Sequence, residues 1–338
     1  MTGKDDKKKG AAKAKAKKTA ARRPSRAKAP AKQEGRLDPV KWTQLMIRQA
    51  IQVAKKVEAN ALLFYMDSTK DLAPFSKIQT DSKLILLTRR KDCMEKAEDL
   101  AINAVMLPDV KLTRVGYLKI GFLAAISKGL VKNGDVIVCV GGLPEQGYMD
   151  TIMLVEAGQE SELFGGGEMI SFPAGIQPDV FETLLDLVLE LANEGREGKP
   201  VGSIFVLGDH ERVLERSYQL VFNPFQGHPE EALRIHNTEV KETLKEFSSI
   251  DGAFVVRQDG VVLAAGRYLN VGFQGDPLPQ GLGARHAAAA AISQATDSLA
   301  LVISESTGKV TIFRGGRILS EIEKSASHGT GRRAIALE

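Results

Sequence analysis

Between residues 37 and 168 the chain alternates strand-length apolar runs with helix-length amphipathic ones, and few folds accept that rhythm. Pro39 to Ala59 reads as a long amphipathic helix, Ala61 to Met66, Lys83 to Thr88 and Asn103 to Leu107 as short strands, and Val115 to Val131 as a second helix. Asp135 to Val140 and Thr151 to Val155 complete the set. Such alternation predicts an α/β sandwich around a largely parallel sheet, since a parallel neighbour is reached only through a long crossover.

The second half follows a different plan. Pro178 to Asn193 is a strongly apolar helix behind a proline turn, and Gly195 to Pro200 separates it from a strand over Val201 to Leu207. Asn223-Pro224-Phe225 and Glu239 to Ile250 then lead to Asp251-Gly252-Ala253, which opens the β-branched and aromatic run Phe254-Val255-Val256. Beside the two smallest side chains, the Asp251 carboxylate has room for a ligand. Further on, Gly281-Leu282-Gly283-Ala284-Arg285-His286 runs into the strong helix formers Ala287 to Ala291. A glycine loop feeding a helix start is an anion site. Free backbone N–H groups and the positive end of the helix dipole face the ligand, and Arg285 and His286 add donors in the first turn. Leu299 to Ile303 then reads as a buried strand, Ser304-Glu305-Ser306-Thr307-Gly308 as a turn with hydroxyls and one carboxylate, and Lys309 to Phe313 as the returning strand.

These three segments, in this order, resemble the diadenylate cyclase family over residues 178 to 323. The resemblance implies a catalytic domain with a central mixed sheet flanked by helices, holding one ATP per subunit. It implies that Asp251 holds a divalent metal, Mn²⁺ or Mg²⁺, with Glu305 as a further metal contact. Asp251 would help activate a ribose 3′-hydroxyl that attacks the α-phosphate of the ATP on a facing subunit, while Arg285 and His286 bind the polyphosphate. Gly252, Ala253, Gly281, Gly283, Ala284, Ser304 and Thr307 would join the ATP site, with Tyr268 and Leu269 against the nucleoside. Two such attacks give cyclic di-AMP and two pyrophosphates. A monomer with one ATP cannot close that ring, so the resemblance implies a homo-oligomer, at least a face-to-face dimer when active.

Two positions depart from the family pattern: Ala284 stands where Thr is usual and Ala287 where a second Arg is usual. A lost guanidinium removes a charge-assisted contact worth roughly 1.5–3 kcal/mol. Arg257, Arg267, Lys309 or the metal are the candidates to replace it. The rival reading is a noncatalytic regulator that binds ATP or cyclic di-AMP and carries a DNA-binding basic tail. Ala287 favours it. Retention of Asp251, Arg285 and His286 opposes it, because a sensor has no need of a metal-binding aspartate beside a ribose.

Each site residue also has a plainer structural reading when taken alone. Asp251 could be only a turn residue, as Asp259 is in the Asp259-Gly260 hairpin, and His286 only a helix-start residue; Ser304 and Thr307 could merely close a turn. Gly141-Gly142 and Gly165-Gly166-Gly167 lack the Lys-Ser or Lys-Thr of a P-loop and read as turns. Gly129 to Gly134 leading into Asp135-Val136-Ile137-Val138-Cys139-Val140-Gly141-Gly142-Leu143-Pro144 resembles the C-terminal domain of pyruvate kinase, which serves regulation and assembly.

The expected division is a disordered basic tail over 1–36, a pyruvate kinase C-terminal-like regulatory domain over 37–170, a diadenylate cyclase domain over 171–328 and a loose end over 329–338. At 338 residues and 43% apolar composition there is material for two domains with their own cores. Residues 1 to 36 hold 14 Lys and Arg against 3 acids in a chain whose total charge is +4, so the remainder is net acidic. A Lys, Ala and Pro-rich tail without an apolar face predicts disorder and salt-dependent, nonspecific attraction to nucleic acid or an anionic membrane. No run is long enough for a membrane span, and the basic start is not followed by the apolar stretch of a signal peptide. Cys93 and Cys139 sit in apolar surroundings and read as reduced core residues of a cytoplasmic protein. His210, His228, His236 and His328 have no paired ligand spacing.

Overall fold

The computed structural model describes residues 38–69, 75, 78–158, 172–272, 279 and 281–324. The basic tail, Gly165-Gly166-Gly167, the boundary at 170–171 and the end carrying His328 lie outside them.

The first sheet is built from β1 (Ala61–Tyr65), β2 (Lys83–Thr88), β3 (Asn103–Met106), β4 (Val136–Gly141) and β5 (Thr151–Glu156), with helices α1 (Pro39–Lys56), α2 (Lys91–Asp99) and α3 (Arg114–Ser127). Its order is β3-β2-β1-β4-β5, parallel throughout except for β5, which runs antiparallel to β4. The predicted largely parallel sheet is thus present. Helix α2 escapes a periodicity reading because its buried residues are only Cys93 and Ala97. Helix α3 stops at Ser127, short of Val131, because Gly129 takes a left-handed φ of 66°. The Gly129 N–H then bonds to Ile126 O and the Leu130 N–H to Ala125 O, a closed Schellman end. The turn expected at Gly141-Gly142 falls later, at Pro144 to Gly147: Gly141 ends β4, and Gly142 lies where a Cβ would stand 2.3 Å from the Tyr148 carbonyl oxygen.

The second half comprises α4 (Pro178–Glu194), β6 (Ser203–Leu207), α5 (His210–Glu215), β7 (Ser217–Gln219), α6 (Thr238–Phe247), β8 (Ala253–Val256), β9 (Val262–Leu269), α7 (Ala284–Ala295), β10 (Leu299–Ile303), β11 (Val310–Arg314) and β12 (Arg317–Ile322). Its sheet is mixed, in the order β12-β11-β10-β6-β8-β9-β7, with β6 and β8 the parallel pair. Strand β12 was not expected. It returns through Gly315-Gly316, both at positive φ (59° and 82°), as a two-residue hairpin requires.

Apolar residues collect in three layers. One packs α1 and Ala97 of α2 on the outer face of the first sheet, and another packs α5 and α7 on the outer face of the second. Between them a continuous core takes residues from both sheets and from α3, α4 and α6. Nine residues of α4 are buried, so this helix is enclosed on most of its circumference. The expectation of two domains with separate cores is therefore revised: α3 and α4 carry one core into the other. Polar ties reinforce the join: Lys128 to Glu182 at 3.1 Å, Lys119 Nζ donating to Glu321 O at 3.0 Å, and a bridge between Leu112 and Lys324. Cys93 and Cys139 are free and buried. Among the described residues no helix is long and apolar enough to cross a membrane.

Candidate active site

Strand register decides which residues meet. Ser203 pairs with Ile303 across the antiparallel β6–β10 pair, and Ile204 with Ala253 across the parallel β6–β8 pair. The starts of β6 and β8 and the end of β10 thus share one sheet edge, where Asp251, Gly202 and the Ser304–Gly308 turn converge. A cleft of about 750 Å³ opens there, lined by Asp251, Gly281, Gly283, Ala284, Arg285, His286, Ser304 and Glu305 from the predicted set. Pro200, Ile303 and Ser306 line it too, and were not foreseen. The signal for the first was Gly202, a glycine at a strand start, which marks a close approach.

Arg285 is the hub of the cleft. Its Nη1 lies 3.0 Å from Glu305 Oε2 and its Nη2 3.3 Å from Asp251 Oδ1. The guanidinium rests against Gly202, where a Cβ would come within 2.5 Å of Nη1 and 2.9 Å of Glu305 Cβ. The Asp251 side chain is 86% exposed and that of Glu305 61%, so both carboxylates remain open to solvent. Gly252 holds a φ of 108° and lies against the backbone of Gly266, 2.5 Å from a would-be Cβ. Only glycine serves there, which is why Asp251 can project at the mouth of β8.

Helix α7 begins at Gly283, which has no side chain to cap it, and Gly281 supplies a φ of 94° just before. The His286 and Ala287 N–H groups bond to Gly283 O, which leaves the N–H groups of Ala284 and Arg285, both cleft residues, with the helix dipole behind them. His286 is buried, its ring edge-on to Phe313 at 6.2 Å, and its Nε2 finds no hydrogen-bond partner. Burial holds its pKa below the ordinary histidine value, so the ring is a neutral single donor rather than a cation. Ser304 and Ser306 approach each other at 3.3 Å between hydroxyls, and the turn is closed by the Gly308 N–H bonding to Ser304 O at 2.8 Å.

Five expected residues are not at the cleft wall. Ala253 is fully buried in the outer core, and Gly252 contributes backbone geometry. Thr307 accepts a hydrogen bond from the Lys309 N–H and lines a neighbouring pocket of about 300 Å³. Leu269 is turned into the core by strand alternation, whereas Tyr268, one residue earlier, points outward and stacks on Tyr218 of the edge strand at 4.9 Å. Neither lines the cleft of the single subunit.

The proposed replacements for the missing arginine are committed elsewhere. Arg257 is held by Glu230 and Asp259, Lys309 by Glu321 and Glu323, and Arg267 by the carbonyls of Leu214 and Ser217.

The donor set fits a divalent cation shared with substrate. Two exposed carboxylates flank the one guanidinium of Arg285, and no group of three or more His, Cys, Asp or Glu is found among the described residues. Magnesium commonly takes one or two carboxylates and completes its shell with substrate phosphates and water.

Residues 190–318 match the family profile described as "DisA bacterial checkpoint controller nucleotide-binding". A diadenylate cyclase of Methanocaldococcus jannaschii is 32% identical over 83% of this chain and 97% of its own length. The chain belongs to the diadenylate cyclase family. A second diadenylate cyclase, of Haloferax volcanii, is 34% identical over 62% of this chain and 76% of its own. A solved structure, DacA from Staphylococcus aureus, matches with a TM-score of 0.31 at 19% identity, over 44% of this chain and 87% of that one. Residues 43–164 match a profile described as "Probable sensor domain DacZ_P". The pyruvate kinase likeness suggested by the glycine-flanked strand is not supported. Members of this family depend on a divalent metal.

Proposed function

We propose that this diadenylate cyclase condenses two ATP into cyclic di-AMP and two pyrophosphates in the cleft centred on Arg285. The observation that carries the assignment of roles is the guanidinium held between Asp251 and Glu305 at the start of α7. ATP phosphates compete for Arg285 and for the free N–H groups of the α7 first turn, which frees both carboxylates. Asp251 and Glu305 are then the residues that would hold Mg²⁺ or Mn²⁺, whose charge neutralises the phosphates and acidifies the attacking hydroxyl. The ribose 3′-oxygen of the ATP on a facing subunit attacks the α-phosphorus in line. A phosphodiester forms, the bond to pyrophosphate breaks, and the hydroxyl proton leaves toward the Asp251 side. Arg285 and the helix start counter the charge that grows on the leaving pyrophosphate, so the protein contributes chiefly position and field. His286, neutral and buried, donates one N–H and sets the floor of the site.

Because each cleft holds one ATP, ring closure joins two clefts, and the active species is at least a face-to-face dimer. Residues 37–170 act as the sensing and regulatory part and 171–328 as the catalytic part, in a cytoplasmic protein that draws on the cellular ATP pool. The basic tail supplies nonspecific affinity for nucleic acid. The decisive test incubates the protein with ATP and Mg²⁺ or Mn²⁺ and resolves products by mass, with Asp251→Asn as control. Cyclic di-AMP from the wild type alone is the expected result. ATP binding without product from either metal would favour the noncatalytic regulator, the reading to which Ala287 points.

A further inference from the structure

The cleft is short of positive charge. Asp251 and Glu305 outnumber Arg285, His286 is neutral, and the three other cations offered by the sequence are tied up in ion pairs or carbonyl cages. A polyphosphate adds several more negative charges. Lys199 is placed to answer them. It precedes Pro200, which lines the cleft, and it lines two side pockets of about 300 and 370 Å³. Both pockets share Glu305 with the cleft, and the larger also shares Arg285. Lys199 is exposed and makes no ion pair with any described residue.

Its backbone is fixed in place. Arg196 to Lys199 forms a two-residue turn with positive φ at Glu197 (49°) and Gly198 (74°), the pattern of a type I′ turn. Its ends exchange two backbone hydrogen bonds of 2.9 Å each. Gly195 lets the turn close, because a Cβ there would stand 2.1 Å from the Lys199 carbonyl oxygen. Arg196 anchors the other side on Glu246. A hydrogen-bonded turn therefore carries Lys199, which has no ion pair among the described residues, into the lining of two pockets that Glu305 also lines, one of them together with Arg285.

We propose that Lys199 is a polyphosphate-binding residue of this cleft and replaces the cation missing at Ala287. This rests on the cyclase reading above. An ammonium is a point charge without the fork of a guanidinium, so its contact follows phosphate charge and not nucleoside shape. The experiment titrates 3′-deoxy-ATP, which cannot attack, and AMP into the wild-type protein, Lys199→Ala and Lys199→Arg with Mg²⁺, and follows ATP turnover by the wild type in parallel. Lys199→Ala should weaken the triphosphate roughly tenfold or more and leave AMP unchanged, with Lys199→Arg recovering most of the loss. Unchanged triphosphate affinity in Lys199→Ala, or an equal loss for AMP, overturns the assignment. Wild-type protein that binds triphosphate through Lys199 but makes no cyclic di-AMP would instead sink the cyclase reading and leave Lys199 standing.

Discussion

A β-carbon at position 202 would fall where the Arg285 guanidinium now rests. The nearest atom ends a flexible side chain but the next, the Glu305 Cβ at 2.9 Å, does not, so Gly202→Ala should lower the melting temperature by a few degrees and displace Arg285 from its two carboxylates. Steady-state kinetics should then show kcat/KM down by about 10- to 100-fold, the usual cost of a small misplacement in a positioned site. Elsewhere, Asp186 on α4 is pushed up to about 7, first by burial and then by Glu182. The folded protein thus keeps a proton that the unfolded chain releases near pH 4, and the stability this lends is lost as pH rises through 7. Wild-type melting temperature should fall from pH 5 to pH 8 on this account, and Asp186→Asn should flatten that slope. The residues that sequence made legible here are those whose signal is local: Asp251 beside two small neighbours, Arg285 and His286 behind a glycine loop, Glu305 in a hydroxyl-rich turn. What Arg285 touches was not legible, because its partners come from residues 34 positions upstream and 20 downstream.

Elements show where local signals end. The strands β6, β8 and β10 and the start of α7 follow their apolar and glycine patterns closely, but the parity of β9 is set by its pairing with β8 and β7. That parity sends Leu269 inward and Tyr268 out against Tyr218. It is shaped by irregular register between β8 and β9 beside Ala253, a feature no alternation pattern encodes. At the same place Gly252 passes against Gly266 backbone. Gly252→Ala would force both a disfavoured φ and a backbone collision, and should destabilise the protein by about 2–4 kcal/mol in a denaturant titration. Recovery of wild-type stability in that variant would mean that β8 and β9 can separate without cost.

On the scale of the whole molecule, composition suggested two cores, but the faces of α3 and α4 join them, and which way a helix face points depends on partners far along the chain. Joined cores predict one cooperative transition. Trp42, the sole tryptophan, sits on α1 of the first sheet, 5.9 Å from Tyr148, so its fluorescence reports that sheet alone. Its unfolding curve should coincide with that of ATP turnover, a property of the second sheet; a tryptophan transition well separated from loss of turnover would mean that the shared core does not couple the halves. The same stitching bears on how the protein is made. Lys119 and Leu112 are tied to Glu321 and Lys324 across some two hundred residues, and β12 lies along α3. A growing chain emerging from the ribosome can assemble its first sheet early, but it cannot seal the inner face of α3 until β12 has been synthesised.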